Sequence, residues 1–222
     1  MDLSKKIKIK WNKRFGKKDY GDVWKEVNVE WYEKIHNGNY LLHNDFKNFL
    51  KSKSDVVSVL EIGCGSGIYP IQNKQLFEGK KYTGIDFSES AINYCKKHSQ
   101  FEFFDGDFIK MKLENKFDFV FSHAVVDHVY DINEFLKNII RVTKKYAYIN
   151  SYRGYFPDLD EHKMKWDGQE GCYFNDLSIK VIEKLLIELN LRKEQFVIRP
   201  QESGQIEKNL DIQTVIEIDL TK

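Results

Sequence analysis

Hydrophobic residues follow two periods along this chain, and the alternation of these periods predicts strands separated by helices. Five apolar residues fall within Val56–Ile62, a density that is typical of a parallel strand covered on both faces. Comparable strand-like stretches follow at Lys81–Ser88, Phe101–Phe104, Phe117–His123, Tyr146–Asn150, Gln195–Ile198 and Leu210–Leu220. Strands that alternate with helices indicate an α/β domain with a parallel sheet.

Apolar residues spaced by three and four predict the helices. Between residues 20 and 50 this spacing predicts two helices, which separate near Asn37-Gly38-Asn39. Further helices are predicted over Tyr69–Phe77, from Ser88, from Asp131 and over Ile179–Leu189. A chain of 222 residues fits one such domain and is long enough to bury a sizeable core.

The first predicted strand ends in an acid and three alternate glycines, Glu61–Gly67. Glycines without Cβ atoms let a backbone turn lie against a ligand, so the turn predicts a nucleotide-type cofactor site. A dinucleotide fingerprint counted from Gly63 or Gly65 needs a glycine at the positions of Ile68 or Pro70. Neither register fits, and no Gly-Lys-Ser/Thr of a phosphate-binding loop follows.

The E-x-G-x-G-x-G turn resembles motif I of the class I S-adenosylmethionine (SAM) dependent methyltransferases. Gly84-Ile85-Asp86-Phe87-Ser88 is similar to motif II of the same family. The resemblance implies that Asp86, about 20 residues past the glycine turn, accepts both ribose hydroxyl protons. It also implies that Asp107, in Gly106-Asp107-Phe108, accepts a hydrogen bond from the adenine N6 amine.

The same resemblance implies the fold, the cofactor and the cofactor site. The fold is a Rossmann-like three-layer sandwich with a mostly parallel seven-stranded sheet whose last strand is antiparallel. The cofactor is SAM, which leaves as S-adenosylhomocysteine (SAH). The implied cofactor-binding residues are Glu61, Gly63, Cys64, Gly65, Gly67, Asp86, Phe87, Asp107, Phe108 and Ser122.

Two segments outside this framework are expected to close the site. Residues 1–50 are expected to form an N-terminal helical cap on a methyltransferase domain of residues 51–222, since helices before motif I often cap the cofactor pocket in this family. Residues 151–175 are interpreted as a long, irregular lid insertion, because long loops inside a compact domain are usually functional. The candidate acceptor contacts in this lid are Tyr152, Arg153, His162, Trp166 and Tyr173.

Chemistry is expected after the fourth strand, because the carboxyl ends of strands one and four flank the crevice of an open α/β sheet. His123 and His128 are the candidate general bases, with a structural role as the alternative for each. No metal is predicted, since the two histidines are five residues apart, a spacing that suits no known zinc site. No Asp/Asn-Pro-Pro-Tyr/Phe or Pro-Cys stretch follows this strand, which argues against methylation of DNA amino groups or cytosine C5.

Charge, hydropathy and cysteine content indicate a cellular location but do not identify a binding partner. A net charge of +1 gives no general attraction to nucleic acid or membrane, and no run of roughly 18 apolar residues predicts a membrane span. Three cysteines without a C-x-x-C pair fit a reducing compartment, so a cytoplasmic location is expected. Residues 1–18 carry eight Lys or Arg, which leaves either a solvated end or an RNA-binding arm open.

These observations predict a methyltransferase for a small-molecule acceptor, with a hydroxyl of a sugar or secondary metabolite favoured over an amine. An RNA or protein methyltransferase that uses the basic N-terminus is the alternative, and a non-catalytic SAM-fold partner subunit is a further one. The oligomeric state is left open, with a homodimer as one expectation.

Overall fold

The computed structural model describes residues 19–25, 29–37, 44–202 and 212–222. Its main sheet has seven strands in the order β3-β2-β1-β4-β5-β9-β8. They are β1 Ser58–Ile62, β2 Lys81–Asp86, β3 Glu102–Asp105, β4 Phe117–His123, β5 Thr143–Ser151, β8 Phe196–Glu202 and β9 Ile212–Asp219. β9 is antiparallel to both of its neighbours, β5 and β8, whereas the pairs among β1 to β5 are parallel, so the predicted mostly parallel sheet with an antiparallel last strand is confirmed.

The α-helices of the described ranges are α1 Asp22–Lys25, α2 Val29–Asn37, α3 Asn44–Lys51, α4 Glu89–His98, α5 Ile132–Val142 and α6 Ile179–Glu188. Two predicted helix starts are confirmed by their caps. The Ser88 hydroxyl accepts from the amide of Ala91 at 3.3 Å, and the Asp131 carboxylate accepts from the amide of Glu134 at 2.9 Å. Each cap satisfies an amide that the first turn leaves without a helical partner. Among the described residues, no helix is long and apolar enough to cross a membrane.

The sheet separates two hydrophobic cores, and alternate residues of β4 enter each one. Val120 packs with α5 and α6 on one face, whereas Phe119 and Phe121 pack on the other face with Phe46 of α3. Burial on both faces explains why the central strands are nearly continuous apolar runs. It also means that neighbouring residues at a strand end point into different environments.

The helix predicted over Tyr69–Phe77 is wrong as a single element. The structure has a π-helical turn at Ile68–Gln72 and a 3₁₀ turn at Lys74–Leu76. Between them Asn73 has φ −124° and ψ 36°, outside the helical range. The backbone therefore breaks at Asn73 and does not continue as one helix.

The interpretation of residues 151–175 as irregular is wrong for their second half. β6 (Lys163–Asp167) and β7 (Cys172–Asp176) pair as an antiparallel hairpin, which we call the lid hairpin. The Asp167 carboxylate accepts from the amides of Gln169 and Glu170 and shapes the turn. Met164 and Trp166 alternate with polar residues in β6, which is a strand signal that the interpretation as a loop missed. Residues 163–166 are all exposed, so this strand contributes little to the core.

Candidate cofactor and acceptor site

A cavity opens at the carboxyl ends of β1, β2 and β3. It encloses about 360 Å³ of empty space, part of which is open to solvent. Five residues predicted from the sequence line it, namely Gly63, Asp86, Phe87, Asp107 and Phe108. The remaining wall is mainly aliphatic and aromatic, and it includes Ile62, Ile85, Val125 and Tyr20.

The glycine turn is tied to the second strand and packed against the loop after β4. The amides of Gly63 and Cys64 both donate to the carbonyl of Ile85, at 2.7 and 3.1 Å. Gly63 has φ +74°, and a Cβ on it would overlap Cγ2 of Val125. Only glycine therefore fits this position, where both the dihedral angle and the close approach exclude a side chain.

The carboxylate of Asp86 faces the glycine turn, as the ribose role requires. One oxygen accepts from the amide of Gly65 at 2.7 Å, and the other accepts from the amide of Ser88 at 2.8 Å. Burial raises the pKa of Asp86, and these amide hydrogen bonds oppose the rise. Each carboxylate oxygen keeps a further lone pair, so Asp86 can still accept from a ligand hydroxyl.

Asp107 is held at both oxygens. One accepts from the amide of Ile109 at 3.1 Å, and the other accepts from the hydroxyl of Tyr130 at 2.9 Å. The ammonium of Lys110 lies 3.3 Å from this second oxygen. The carboxylate is thereby fixed at the wall of the cavity.

Residues 19–25, which we call the strap, cover part of the cavity. Tyr20 lines it, and burial raises the pKa of the Tyr20 hydroxyl. The amide of Gly21 donates to the carbonyl of Gly171 in the lid-hairpin turn at 2.8 Å, and the Ser88 hydroxyl donates to the carbonyl of Trp24 at 2.7 Å. The strap thus joins the cofactor side of the crevice to the lid hairpin.

Glu61, Cys64 and Ser122 do not line the cavity. The Glu61 carboxylate accepts from the Tyr82 hydroxyl within the protein, and burial raises its pKa. The thiol of Cys64 and the hydroxyl of Ser122 are buried. Gly65 and Gly67 belong to the turn, but they are not part of the cavity wall either. The side chains of Glu61 and Cys64 are turned toward the core of the protein.

The two candidate histidines lie in different environments. His123 bonds through Nδ1 to the Tyr69 hydroxyl and packs against Phe46 and Tyr148, in the aromatic core on the α3 face of the sheet. His128 lies in the loop after β4, with its ring 5.6 Å from that of Trp24 in the strap. The structure therefore brings only His128 beside the strap and the lid.

The hydrogen bonds of His128 define its tautomer. Its Nδ1 lies 2.8 Å from the carbonyl of Tyr173, so Nδ1 donates and Nε2 carries the lone pair. The Tyr152 hydroxyl lies 3.1 Å from Nε2 and donates to it. Burial, and then the nearby Arg153 charge, lower the pKa of His128, so the imidazole is neutral at pH 7.

The five candidate acceptor contacts separate into two groups. Tyr152 and Tyr173 converge on His128, and the half-exposed ring of Trp166 lies edge-on to Tyr173 at 5.1 Å. Arg153 instead pairs with Asp176 at 3.0 Å, and Nδ1 of His162 accepts from the amide of Ser178 at 3.0 Å. The latter two side chains therefore stabilise the lid segment itself.

Comparison with known proteins agrees with this geometry. Residues 53–189 match the family described as a methyltransferase domain, which is more than half of the chain. The chain belongs to this family. It is a class I SAM-dependent methyltransferase by family and fold, as motifs I and II predicted.

Two curated relatives and one solved structure illustrate the similarity. The methyltransferase is 29% identical over 138 residues to a ubiquinone biosynthesis O-methyltransferase of Pelagibacter ubique, covering 56% of each chain. It is 30% identical over 91 residues to a malonyl-[acyl-carrier protein] O-methyltransferase of Bacillus anthracis, covering 40% of this chain and 34% of that one. The plantazolicin methyltransferase, solved in complex with a triazolic desmethylPZN analog and SAH, shares the fold with a TM-score of 0.61 at 16% identity. That match covers 98% of this chain and 99% of the other.

Sequence reasoning missed how Asn175 of this methyltransferase anchors the lid hairpin. Asn175 is fully buried, and its backbone amide donates to the carbonyl of Asp127 at 2.8 Å. Its side-chain nitrogen donates to the carbonyls of Val126 and Val129 at 2.9 and 2.8 Å. An asparagine in a lid carries no local signal of such a role, because its partners lie more than 40 positions earlier in the chain.

Asp127 connects the loop after β4 to the start of the lid. Its titration should make the free energy of unfolding depend on pH. Its carboxylate accepts from the Ser151 hydroxyl at 2.6 Å, and burial raises its pKa from 3.8 to about 7. The folded protein then retains a proton that the unfolded chain releases between about pH 4 and 7. The free energy of unfolding should therefore fall as the pH rises through this window, by up to about 1.4 kcal/mol per pH unit from this group.

The variant Asp127→Asn tests this by urea unfolding at pH 5 and pH 8. The free energy of unfolding of the variant, minus that of the wild type, should be about 2 kcal/mol higher at pH 8 than at pH 5, because the amide does not titrate. The same change at the exposed Asp158 is the control and should shift stability little with pH. A difference between Asp127→Asn and the wild type that is the same at both pH values would contradict the assignment.

Proposed function

We propose that this methyltransferase transfers the methyl group of SAM to a hydroxyl of a small molecule such as a sugar or a secondary metabolite. The observation that carries the proposal is the position of the His128–Tyr152 pair between the lid and the strap, whose Tyr20 lines the cavity together with Asp86 and Asp107. The relatives named above as O-methyltransferases support a hydroxyl or carboxyl oxygen as acceptor. The matched stretches cover only 34% and 56% of those relatives, so the acceptor is inferred from the site.

The residues present fit an adenosine-containing cofactor. Asp86 and Asp107 line the same cavity, where Asp86 would accept from the two ribose hydroxyls and Asp107 would accept from the adenine amine. Gly63 lines the cavity without a side chain, so a ligand can approach the backbone there. When bound, SAM supplies an electrophilic methyl group on a sulfonium.

The chain's own residues supply the base. The acceptor hydroxyl would give its proton to the Tyr152 oxygen while Tyr152 passes its own proton to Nε2 of His128. The carbonyl of Tyr173 holds Nδ1–H and keeps the imidazole in the tautomer that can receive this proton. A positioned base of this kind contributes about 10²- to 10⁴-fold to the rate.

The surroundings favour a small acceptor. Aromatic rings of the strap and lid surround His128, with Trp24 at 5.6 Å and Phe174 at 5.3 Å between ring centroids. The Gly21–Gly171 hydrogen bond closes the strap onto the lid hairpin. A site lined by aromatic rings suits a compact organic molecule better than a folded macromolecule.

The direct test is to supply the full-length protein with SAM carrying a labelled methyl group and a lysate separated by size. Label is expected in the small-molecule fraction, where mass spectrometry would identify the methylated compound. Label confined to RNA or protein would contradict the proposal and support the macromolecular alternative. SAH binding without any transfer would support the non-catalytic alternative. The basic residues 1–18 that motivated the first alternative lie outside the described residues.

Once an acceptor is found, the two histidines can be compared directly. We expect His128→Gln to lower kcat by about 10²- to 10⁴-fold and His123→Gln to lower it much less. Because burial lowers the pKa of His128, the wild-type rate should be flat near pH 7 and should fall only at a pH lower than the ordinary histidine pKa of 6.5. Single-turnover rates between pH 5 and 8 measure both effects. A larger loss in His123→Gln would reverse the assignment.

A further inference from the structure

We propose that Tyr130 is a positioning residue that orients the Asp107 carboxylate and thereby makes the cofactor site select adenine over its 6-oxo counterpart. The proposal rests on the proposed function of Asp107 as the acceptor for the adenine amine. It assigns a role to a residue that the motifs do not single out.

The contacts of Asp107 identify Tyr130 as the side chain that sets its rotation. The amide of Ile109 holds the first oxygen from the main chain at 3.1 Å, while the Tyr130 hydroxyl holds the second at 2.9 Å. Lys110 also reaches the second oxygen, but its side chain is 76% exposed, against 15% for Asp107. An exposed ammonium orients a carboxylate weakly, since solvent screens it and its long side chain is mobile.

Tyr130 is itself held in place from both sides. The carbonyl of the preceding Val129 accepts from the buried Asn175 side chain at 2.8 Å, and the following Asp131 caps α5. The Tyr130 ring lies edge-on to Tyr20 of the strap, with 4.8 Å between centroids. Burial and the Asp107 charge raise the pKa of Tyr130, so its hydroxyl remains a donor at neutral pH.

The chemistry of the two bases gives the selectivity. The N6 amine of adenine is a donor, whereas a 6-oxo group places a lone pair at the same point. A carboxylate has only lone pairs to offer, so it binds the first and repels the second. A carboxylate that is fixed by Tyr130 cannot rotate away from the 6-oxo group to avoid this repulsion. Water also cannot readily take the place of the lost hydrogen bond.

The test uses calorimetric titration of the full-length protein with SAH and with S-inosylhomocysteine. We expect the wild type to prefer SAH by more than about tenfold, as for a lost hydrogen bond to a charged group. Tyr130→Phe should weaken SAH binding by about tenfold and leave S-inosylhomocysteine within about twofold, so that the preference nearly disappears. Lys110→Gln, which removes the other contact to the same oxygen, should change neither affinity by more than about twofold.

A second variant separates positioning from a structural role. If Tyr130 acts through Asp107, adding Tyr130→Phe to Asp107→Asn should have no further effect on SAH binding. Equal weakening of both ligands by Tyr130→Phe, or an additive effect in the double variant, would overturn the proposal. A wild type that binds both ligands equally would instead refute the proposed role of Asp107. No binding of SAH to the wild type would refute the proposed function as a whole.

Discussion

Replacing Asp86 with alanine should weaken SAH binding by about 2–4 kcal/mol. Two hydrogen bonds from ribose hydroxyls to a carboxylate would be lost. The acceptor for the amide of Gly65 would be lost as well, which loosens the glycine turn. Calorimetric titration of SAH into the wild type and the variant measures the difference directly.

Asp105 provides the matched control for this experiment. It lies opposite Asp86 in the register of β2 and β3, at the same edge of the sheet, but its side chain is exposed. Asp105→Ala removes the same charge and should change SAH affinity by less than about 0.5 kcal/mol. Equal losses in the two variants would mean that the effect is one of general charge and not of ribose recognition.

Replacing Gly63 with alanine should destabilise the fold by about 2–5 kcal/mol and abolish SAH binding. The positive φ of +74° costs an alanine about 1–2 kcal/mol. The new Cβ also overlaps Val125, and overpacking of this kind costs about 1–3 kcal/mol more. Chemical denaturation measures the first effect, and titration with SAH measures the second.

Gly79 is the control that separates the cost of the positive φ from the cost of the overlap with Val125. Its φ of +72° is nearly the same, but nothing lies within 4 Å of the position that a Cβ would take. Gly79→Ala should therefore cost only the backbone part, about 1–2 kcal/mol, and leave SAH binding intact. If both alanine variants lose the same stability, the overlap of the new Cβ at residue 63 with Val125 costs nothing, and the prediction is wrong.

Predictions from sequence were most accurate where the signal is local. β4 begins and ends at the predicted residues, Phe117 and His123, and Ser88 and Asp131 cap helices as their side chains predicted. Motif spacing also placed Asp86 and Asp107 correctly at one cavity, because the carboxyl ends of adjacent parallel strands meet at one edge of the sheet. That these residues hold the cofactor stays a prediction, to be tested by the SAH titrations above.

Prediction from sequence was less accurate where a shift of one residue moves a side chain to the opposite face of a strand. Motif I assigns Glu61 to the cofactor, and this role stays a prediction, since the structure shows its carboxylate bonded to Tyr82 and away from the cavity wall. His123 and His128 looked equivalent in the sequence. Strand alternation sends His123 into the aromatic core, whereas His128 lies in the loop that follows.

The sequence by itself determined the α/β framework, the glycine turn and the acids at the strand ends, because periodicity and motif spacing act over a few neighbouring residues. Only the tertiary structure decided that Tyr20 lines the cavity, that Tyr130 holds Asp107, and that His128 meets Tyr152 and the carbonyl of Tyr173. These partners are separated by more than 20 positions in the chain. Such contacts exist only after the strap, the loop after β4 and the lid hairpin have packed together, and no local pattern records that packing.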